Sequence, residues 1–373
     1  MHFLSFLLVC LLLCAGCNSK KSSGKQNKPS GLTEVNVSAF QVNPDSVLFS
    51  FVFMGCNRVD GKDTGDSNTN ASTANIPELQ RTFNEIAALN PKPVFYFFLG
   101  DEVLGLDTKL NHLQDELKAW RKQYEDTGFS ALPASGITLV AVPGNHEMLY
   151  SHHHDEFPNA GATDIWMKEM GRYMPAGVSI NRVPGPDSLN NLATYSFTYG
   201  NTHFIVMNTD TYNTTGTIGL APAQWIVDDM TRARADKTVQ HIFLLGHKPA
   251  VVSQPLYAYD GESTMDTSVV RIIWPQMIAN GAEAMLSAHS HQYDRLQPVS
   301  GGPYQIIAGN GGSPYEHKAS KDPDRQFFGY TIIYVMKNGQ VLAQSMGRSV
   351  PASGYLESIP ASLPTTMRDS VNI

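Results

Sequence analysis

Five apolar runs along the chain each end in a small residue followed by polar side chains. The first three are Val47-Leu-Phe-Ser-Phe-Val-Phe-Met before Gly55-Cys56-Asn57-Arg58, Val94-Phe-Tyr-Phe-Phe-Leu before Gly100-Asp101-Glu102, and Ile137-Thr-Leu-Val-Ala-Val-Pro before Gly144-Asn145-His146-Glu147. The last two are His241-Ile-Phe-Leu-Leu before Gly246-His247-Lys248-Pro249 and Glu283-Ala-Met-Leu-Ser-Ala before His289-Ser290-His291. Short continuous runs of this kind predict strands buried on both faces. Helical spacing falls between them, over Pro77 to Ala88, Leu110 to Tyr124, Ala223 to Arg234 and Val269 to Ala279, the first opening on a proline suited to a helix start. Strands alternating with helices predict an α/β fold, whose active site lies at the carboxyl ends of the strands. All five polar clusters sit there.

Two segments read as antiparallel hairpins, one turned at Gly200-Asn201 and one at Asn338-Gly339. Two layers of sheet flanked by helices accommodate every element in one domain, over residues 46–347. Gly61 to Asn75 is polar and reads as a surface loop, and residues 348–373 read as an irregular tail. No internal repeat occurs at solenoid periods.

The N-terminus differs in kind. Phe3 to Leu13 is apolar, too short for a membrane span of about 18 or more residues, and reads as a secretion signal over residues 1–16. Leu13-Cys14-Ala15-Gly16-Cys17 resembles a bacterial lipobox, which implies lipidation of Cys17 and a membrane anchor in the bacterial cell envelope, facing the periplasm or the cell surface. Cys14 stands where leucine is usual, and the leader carries His2 but no lysine or arginine. An ordinary cleaved signal peptide is the alternative. Residues 17–45, rich in Ser, Lys, Asn and Gly, read as a flexible tether.

Among 373 residues, 42% are hydrophobic and 16% charged, enough to bury a large core. The net charge of −7 offers no global positive field for a phosphate backbone, which argues against a dedicated nucleic-acid binder. Of four cysteines, three lie at or before Cys17. Cleavage and acylation there leave Cys56 as a single thiol, with no intramolecular disulfide possible. A lone thiol in an exported chain is an oxidation liability, so its retention calls for a reason.

Asp101, Asn145, His247, His289 and His291 place oxygen and imidazole donors at successive strand ends. A carboxylate can bridge two cations, and mixed N/O shells suit Fe, Zn or Mn. Two such ions about 3.5–4 Å apart can clamp a phosphoryl group for in-line displacement.

At these residues the chain resembles the calcineurin-like metallophosphoesterases. Gly100-Asp101, Gly144-Asn145-His146-Glu147, Gly246-His247 and His289-Ser290-His291 stand in that family's order. The segments His289 to Arg295, Tyr195 to Phe204, Gln224-Trp225 and Gly309 to Gly312 are similar to its purple acid phosphatase branch. The resemblance covers about residues 47 to 345. It implies an α/β four-layer sandwich, two mixed β-sheets flanked by helices, and two divalent or trivalent transition metal ions with a metal-bound hydroxide as nucleophile. By resemblance, Asp101 bridges the ions, Asn145, His247 and His289 complete the second site, and His291 serves the first. His146 contacts the phosphate or protonates the leaving oxygen, which suits an ordinary imidazole pKa near 6.5. Glu147 either orients His146, meets the substrate, or is a loop carboxylate.

The first motif departs from the family. Its Asp-x-His is here Cys56-Asn57-Arg58, and Leu104 stands near the place of the tyrosine that colours the purple enzymes. Cys56 is either a thiolate ligand, as at the equivalent strand end of phosphodiesterase-like alkaline phosphatases, or a buried small hydrophobe beside a lost site. With the first reading, Arg58 is a phosphate clamp, its planar fork matched to phosphoryl oxygens, and Asn57 lies at the substrate.

Further candidates are weaker. His152, within His152-His153-His154, and His317 are candidate substrate contacts, the former equally an exposed loop. Lys248 either adds positive potential at the site or points to solvent. Gly309-Asn-Gly-Gly312 lacks the Lys-Ser/Thr of a nucleotide-binding loop. The loops Gly61–Asn75, Leu149–Thr163, Gly177–Asn191 and Val251–Met265 are candidate pocket walls. The expected function is hydrolysis of small-molecule phosphomonoesters or phosphodiesters. The rivals are a pseudo-phosphatase that binds phosphorylated ligands or a partner, and a surface lipoprotein in which metal is a staple. Oligomeric state is left open.

Overall fold

A computed structural model describes residues 42–59, 72–153, 155–183, 193–253, 263–315, 325–349 and 363–373, all within the unit Thr33–Ile373. The signal and Cys17 readings lie outside these residues, as do the tether reading up to residue 41 and His317, while residues 42–45 lead into a short turn over Pro44–Ser46. The elements run β1 (Val47–Met54), α1 (Ile76–Ala87), β2 (Phe95–Leu99), α2 (Leu110–Glu125), β3 (Thr138–Val142), α3 (Asn145–Met148), β4 (Leu149–His152), β5 (Asp155–Pro158), α4 (Ala162–Met170), β6 (Asn181–Arg182), β7 (Tyr195–Tyr199) and β8 (Thr202–Met207). There follow α5 (Ala223–Ala235), β9 (His241–Gly246), α6 (Thr267–Ala279), β10 (Ala284–Ser287), β11 (Tyr293–Leu296), β12 (Tyr304–Ala308), β13 (Phe327–Met336), β14 (Val341–Ser349) and β15 (Thr366–Asn372).

One sheet has the order β15-β14-β13-β1-β2-β3 and the other β11-β12-β10-β9-β8-β7-β6. The predicted strands β1, β2 and β3 pair in parallel, as do β8, β9, β10 and β12 in the second sheet. The alternation of β2 explains its unbroken apolar run. Phe95 and Phe97 face the opposing sheet, with ring centroids 5.4 Å from Phe197 and 5.6 Å from Phe204. Tyr96 and Phe98 face outward and pack under Phe83 of α1 and Trp120 of α2, at 5.8 and 5.3 Å. Phe51 of β1 crosses between sheets to Phe204 and Phe243. On the far side, Ile226 and Met230 of α5 and Ile273 and Met277 of α6 cover Ile205, Ile242 and Met285. The result is the four-layer α-β-β-α sandwich, helices outside and an aromatic layer between the sheets.

Local chemistry starts the helices where expected. The side chain of Asn75 caps α1 by accepting from Glu78 N–H at 3.4 Å, and Asp266 caps α6 by accepting from Ser268 N–H at 2.8 Å. Both predicted hairpins form, β7–β8 and β13–β14.

Two expectations are corrected. The C-terminal residues are not irregular throughout: β15 pairs antiparallel with β14, and Asp369 accepts from Tyr293 Oη at 2.7 Å and Arg295 Nε at 2.5 Å. As an edge strand only Met367 of β15 is buried, so its polar sequence hides it. The supposed loop Leu149–Thr163 holds the hairpin β4–β5 and the start of α4.

Candidate metal centre

The strand ends meet because their glycines leave room. A Cβ on Gly100 would sit 2.6 Å from Gly144 N, and one on Gly144 would sit 2.4 Å from Asp101 Oδ1. Directly after β1, β2 and β10, Cys56, Asp101 and His289 have φ of 59°, 58° and 63°. Such left-handed backbone costs non-glycine residues about 1–2 kcal/mol each and concentrates at functional sites. It turns each side chain off its strand into the space between the motif loops.

Four side chains converge there. Asn145 Oδ1 lies 2.9 Å from His247 Nε2 and 3.2 Å from His289 Nδ1. His247 Nε2 lies 3.1 Å from His289 Nδ1 and 3.2 Å from Asp101 Oδ1. His247 Nδ1 donates to the Leu99 carbonyl at 2.6 Å, which turns Nε2 toward the cluster. Two imidazole nitrogens and two oxygens facing one another in a fully buried space fit a single cation. This is the second donor set expected from sequence.

Asp101 also belongs to a second group. Cys56, Asp101 and His291 are buried and bring their donor atoms within 4.8 Å of one another. His291 Nδ1 donates to the Pro314 carbonyl at 2.6 Å, which leaves Nε2 for the centre. The donor types fit a transition metal. Arg58, 19% exposed, reaches into this group, with Nε 3.4 Å from Asp101 Oδ2 and Nη2 3.4 Å from His291 Nε2. Asp101 thus belongs to both groups, with Oδ1 toward His247 and Oδ2 toward Arg58.

The charges interact strongly. Burial opposes ionisation of Asp101, but His247, His146 and Arg58 outweigh it and hold its carboxyl well below the usual range. Burial lowers His247 while Asp101 raises it, and the balance leaves it at about 9. His291 and His146 are both pushed down to about 3, by burial and then by the Arg58 charge.

His146 lies at the edge of the first set, its Nε2 4.0 Å from Asp101 Oδ2. Its Nδ1 is held by the Leu104 carbonyl, not by Glu147. The Glu147 carboxylate instead accepts from the backbone N–H groups of Asp101, Val103 and Gly144, at 3.0, 3.2 and 2.8 Å. It is fully buried, committed to the protein, and not turned to a substrate. Asn57 is likewise fully buried and donates to the Gly311 carbonyl at 2.7 Å, which fastens the first loop to the one after β12. His152 is exposed, and the register of β4–β5 pairs it with Asp155, on the face opposite the Ser151–Glu156 pair. The structure does not bring it to the cluster.

Two residues that sequence reasoning missed border the second set. Glu156 accepts from Asn145 Nδ2 at 2.5 Å, and Asp210 lies 3.1 Å from Lys248 Nζ. Lys248 is fully buried rather than pointing to solvent. Asp210 ends the run after β8, Asn208-Thr-Asp, which is a polar cluster at a strand end like the other five. Glu156 carries no such signal.

A sandwich with these strand-end donors is a metallophosphoesterase architecture. The profile described as calcineurin-like phosphoesterase matches residues 63–293, beginning downstream of Cys56 and Arg58, and the chain belongs to that family of metal-dependent phosphoester hydrolases. The fold is similar to purple acid phosphatase PPD1 from yellow lupin (Lupinus luteus), with a TM-score of 0.53 and 15% identity over 86% of this chain and 58% of that one. The chain therefore matches little more than half the length of the lupin enzyme. It is also similar to the structure of PhoD, with a TM-score of 0.55 and 13% identity over 92% of this chain and 70% of that one. At these identities the likeness is one of fold.

Proposed function

We propose that this metallophosphoesterase hydrolyses a small-molecule phosphomonoester or phosphodiester at a dinuclear centre. The observation that carries the reading is the place of Asp101 between two donor groups: its Oδ1 lies 3.2 Å from His247 Nε2, and its carboxylate also belongs to the buried group with Cys56 and His291. Asn145, His247 and His289 would complete one ion's shell, and Cys56 and His291 the other's. Fe, Zn or Mn bound there would supply Lewis-acid polarisation of the phosphoryl oxygens and a nucleophile at neutral pH.

The chain's own residues do the rest. Arg58 keeps the partly exposed end of its fork beside the first set, where phosphoryl oxygens would be held. His146 is neutral at rest, its Nδ1 committed to Leu104 and its Nε2 free to take a proton. Burial is the larger cause of the low His146 pKa and the Arg58 charge the second; a bound phosphoryl anion would offset the Arg58 part, and with that help His146 would protonate the leaving oxygen. The proposal includes export and anchoring through a lipidated Cys17, on the strength of the apolar leader and the Cys17 motif.

One observation favours a second reading. Arg58 lies against both Asp101 and His291, so the first set already faces a cation. A chain unable to fill that set would bind phosphorylated ligands or a partner without turning them over.

Metal content per chain, by mass spectrometry on residues 18–373 purified without chelators, tests the proposal together with turnover of para-nitrophenyl phosphate and its bis ester. Close to two transition metals and measurable release of nitrophenol are expected. One ion or none after reconstitution with Fe, Zn and Mn, with no turnover, would overturn the dinuclear hydrolase and move the binding reading ahead.

A further inference from the structure

A primary amide has one end that can face a cation and one that cannot. Rotating the Asn145 amide by half a turn would replace Oδ1 with two N–H protons at little steric cost. Something must select the orientation in which Oδ1 lies 2.9 Å from His247 and 3.2 Å from His289. That selection is made outside the donor set. Asn145 Nδ2 donates to Glu156 Oε1 at 2.5 Å, and an ionised carboxylate can only accept. Glu156 is in turn held from behind. Its Oε2 lies 3.8 Å from Nζ of the fully buried Lys248, which lies 3.1 Å from Asp210 Oδ1. Thr209 Oγ1 accepts from Lys248 N–H at 2.8 Å and fixes the backbone there. The hairpin register aims Glu156 inward, because Tyr150 and Phe157 stack on the opposite face with centroids 5.4 Å apart.

We infer that Glu156 is a positioning residue of the metal centre, acting through Asn145 by holding its amide oxygen toward the ion, with Lys248 and Asp210 holding Glu156. The inference rests on the reading of Asn145 as a ligand. It gives the β4–β5 hairpin a role in ion affinity that an exposed loop would not have. The competing account is a salt bridge that only fastens the hairpin to the domain.

Glu156→Gln separates the two. The variant is nearly isosteric and leaves Lys248 paired with Asp210, so a role in fastening alone would show as a lower melting temperature with ion affinity unchanged. If Glu156 orients Asn145, glutamine fails for a specific reason. Lys248 draws the glutamine oxygen toward itself, so the NH2 end turns to Asn145 and favours the flipped amide. The experiment is calorimetric titration of ion-free full-length protein with Zn2+, for the wild type, Glu156→Gln, Asn145→Ala and the double variant, with thermal melting of each ion-free protein as the folding check. Removing partners that orient a ligand costs about 10–100-fold in affinity. A loss in that range is expected for Glu156→Gln, with no further loss when it is added to Asn145→Ala. Wild-type affinity in Glu156→Gln, or a loss undiminished in the Asn145→Ala background, would overturn the inference. Glu156→Ala repeats the cycle where the glutamine variant melts early, with the same expectations. Failure of the wild-type protein to bind Zn2+, Fe2+ or Mn2+ would instead count against the proposed function.

Discussion

Glu147 Oε2 lies 3.0 Å from the backbone nitrogen of Asp101, and the N–H there donates to it. The same oxygen accepts from Gly144 N–H at 2.8 Å, so one buried carboxylate ties the turn after β2 to the turn after β3. Residue 101 is held left-handed in this way, with its side chain turned to both donor sets. Glu147→Ala leaves three buried N–H groups without their acceptor. It is expected to destabilise the ion-free protein by at least roughly 3 kcal/mol, since each of the three unmet buried donors costs about 1–3. Urea denaturation measures this, and a change below about 0.5 kcal/mol would show that the carboxylate does not hold the turns.

Asp101→Ala is the sharpest test of two ions. The wild-type carboxylate lies 3.2 Å from His247 and 3.4 Å from Arg58, one oxygen to each side. Its loss is expected to abolish turnover and to lower metal content at both sets. Retention of more than about a tenth of the wild-type rate would exclude a bridging role, given the scale of metal-ion contributions.

The fold and the donor atoms were legible in sequence for the same physical reason. A strand such as Phe95–Leu99, covered on both faces, has to be apolar along its whole length and stands out. The polar residues that end it then stand out too, which is how Asp101, Asn145, His247, His289 and His291 are found. What escaped depends on register and on main-chain atoms. Glu156 reaches Asn145 because the pairing Ser151–Glu156 turns it inward, and one step of slippage would turn it out. The partner of His146 Nδ1 is the carbonyl of Leu104, an atom that every residue type offers. That is why Glu147 looked like the orienting group. β15 escaped because an edge strand with one buried side chain has no apolar alternation to read.

Removal of His146 is expected to separate turnover from metal content. Its Nδ1 is bound by Leu104, and its Nε2 lies 4.0 Å from Asp101 Oδ2, at the edge of the Cys56–Asp101–His291 group rather than within it. His146→Ala is expected to lower kcat by about 10²–10⁴, the usual contribution of a general acid, with the ion count unchanged. Loss of metal in this variant would make His146 a ligand.

Arg58 is expected to tolerate no exchange for lysine. It faces Asp101 through Nε and His291 through Nη2, a pair of directed contacts that a lysine ammonium cannot copy in one position. Arg58→Lys and Arg58→Ala should lose turnover of phosphoesters to a similar extent. Full activity of the lysine variant would reduce the role of residue 58 to positive charge alone.

Acid and alkaline stability are expected to differ through a residue away from the donor sets. Glu116 on α2 accepts from Gly105 N–H at 2.9 Å, in the loop whose Leu104 carbonyl holds His146. Burial, helped by nearby Asp107, raises its carboxyl from 4.5 to about 7. A raised carboxyl binds its proton more tightly folded than unfolded. Its stabilising contribution is therefore complete below pH 4.5 and falls away as pH rises through 7. Above that, the buried charge weighs against the fold by about 1–3 kcal/mol. Glu116→Gln keeps an oxygen for Gly105 and cannot ionise. Thermal melts of the ion-free proteins should then show a gain in Tm for the variant near pH 8 that shrinks toward pH 5. An equal difference at both pH values would mean that the carboxyl does not titrate in this range and that the variant acts through packing.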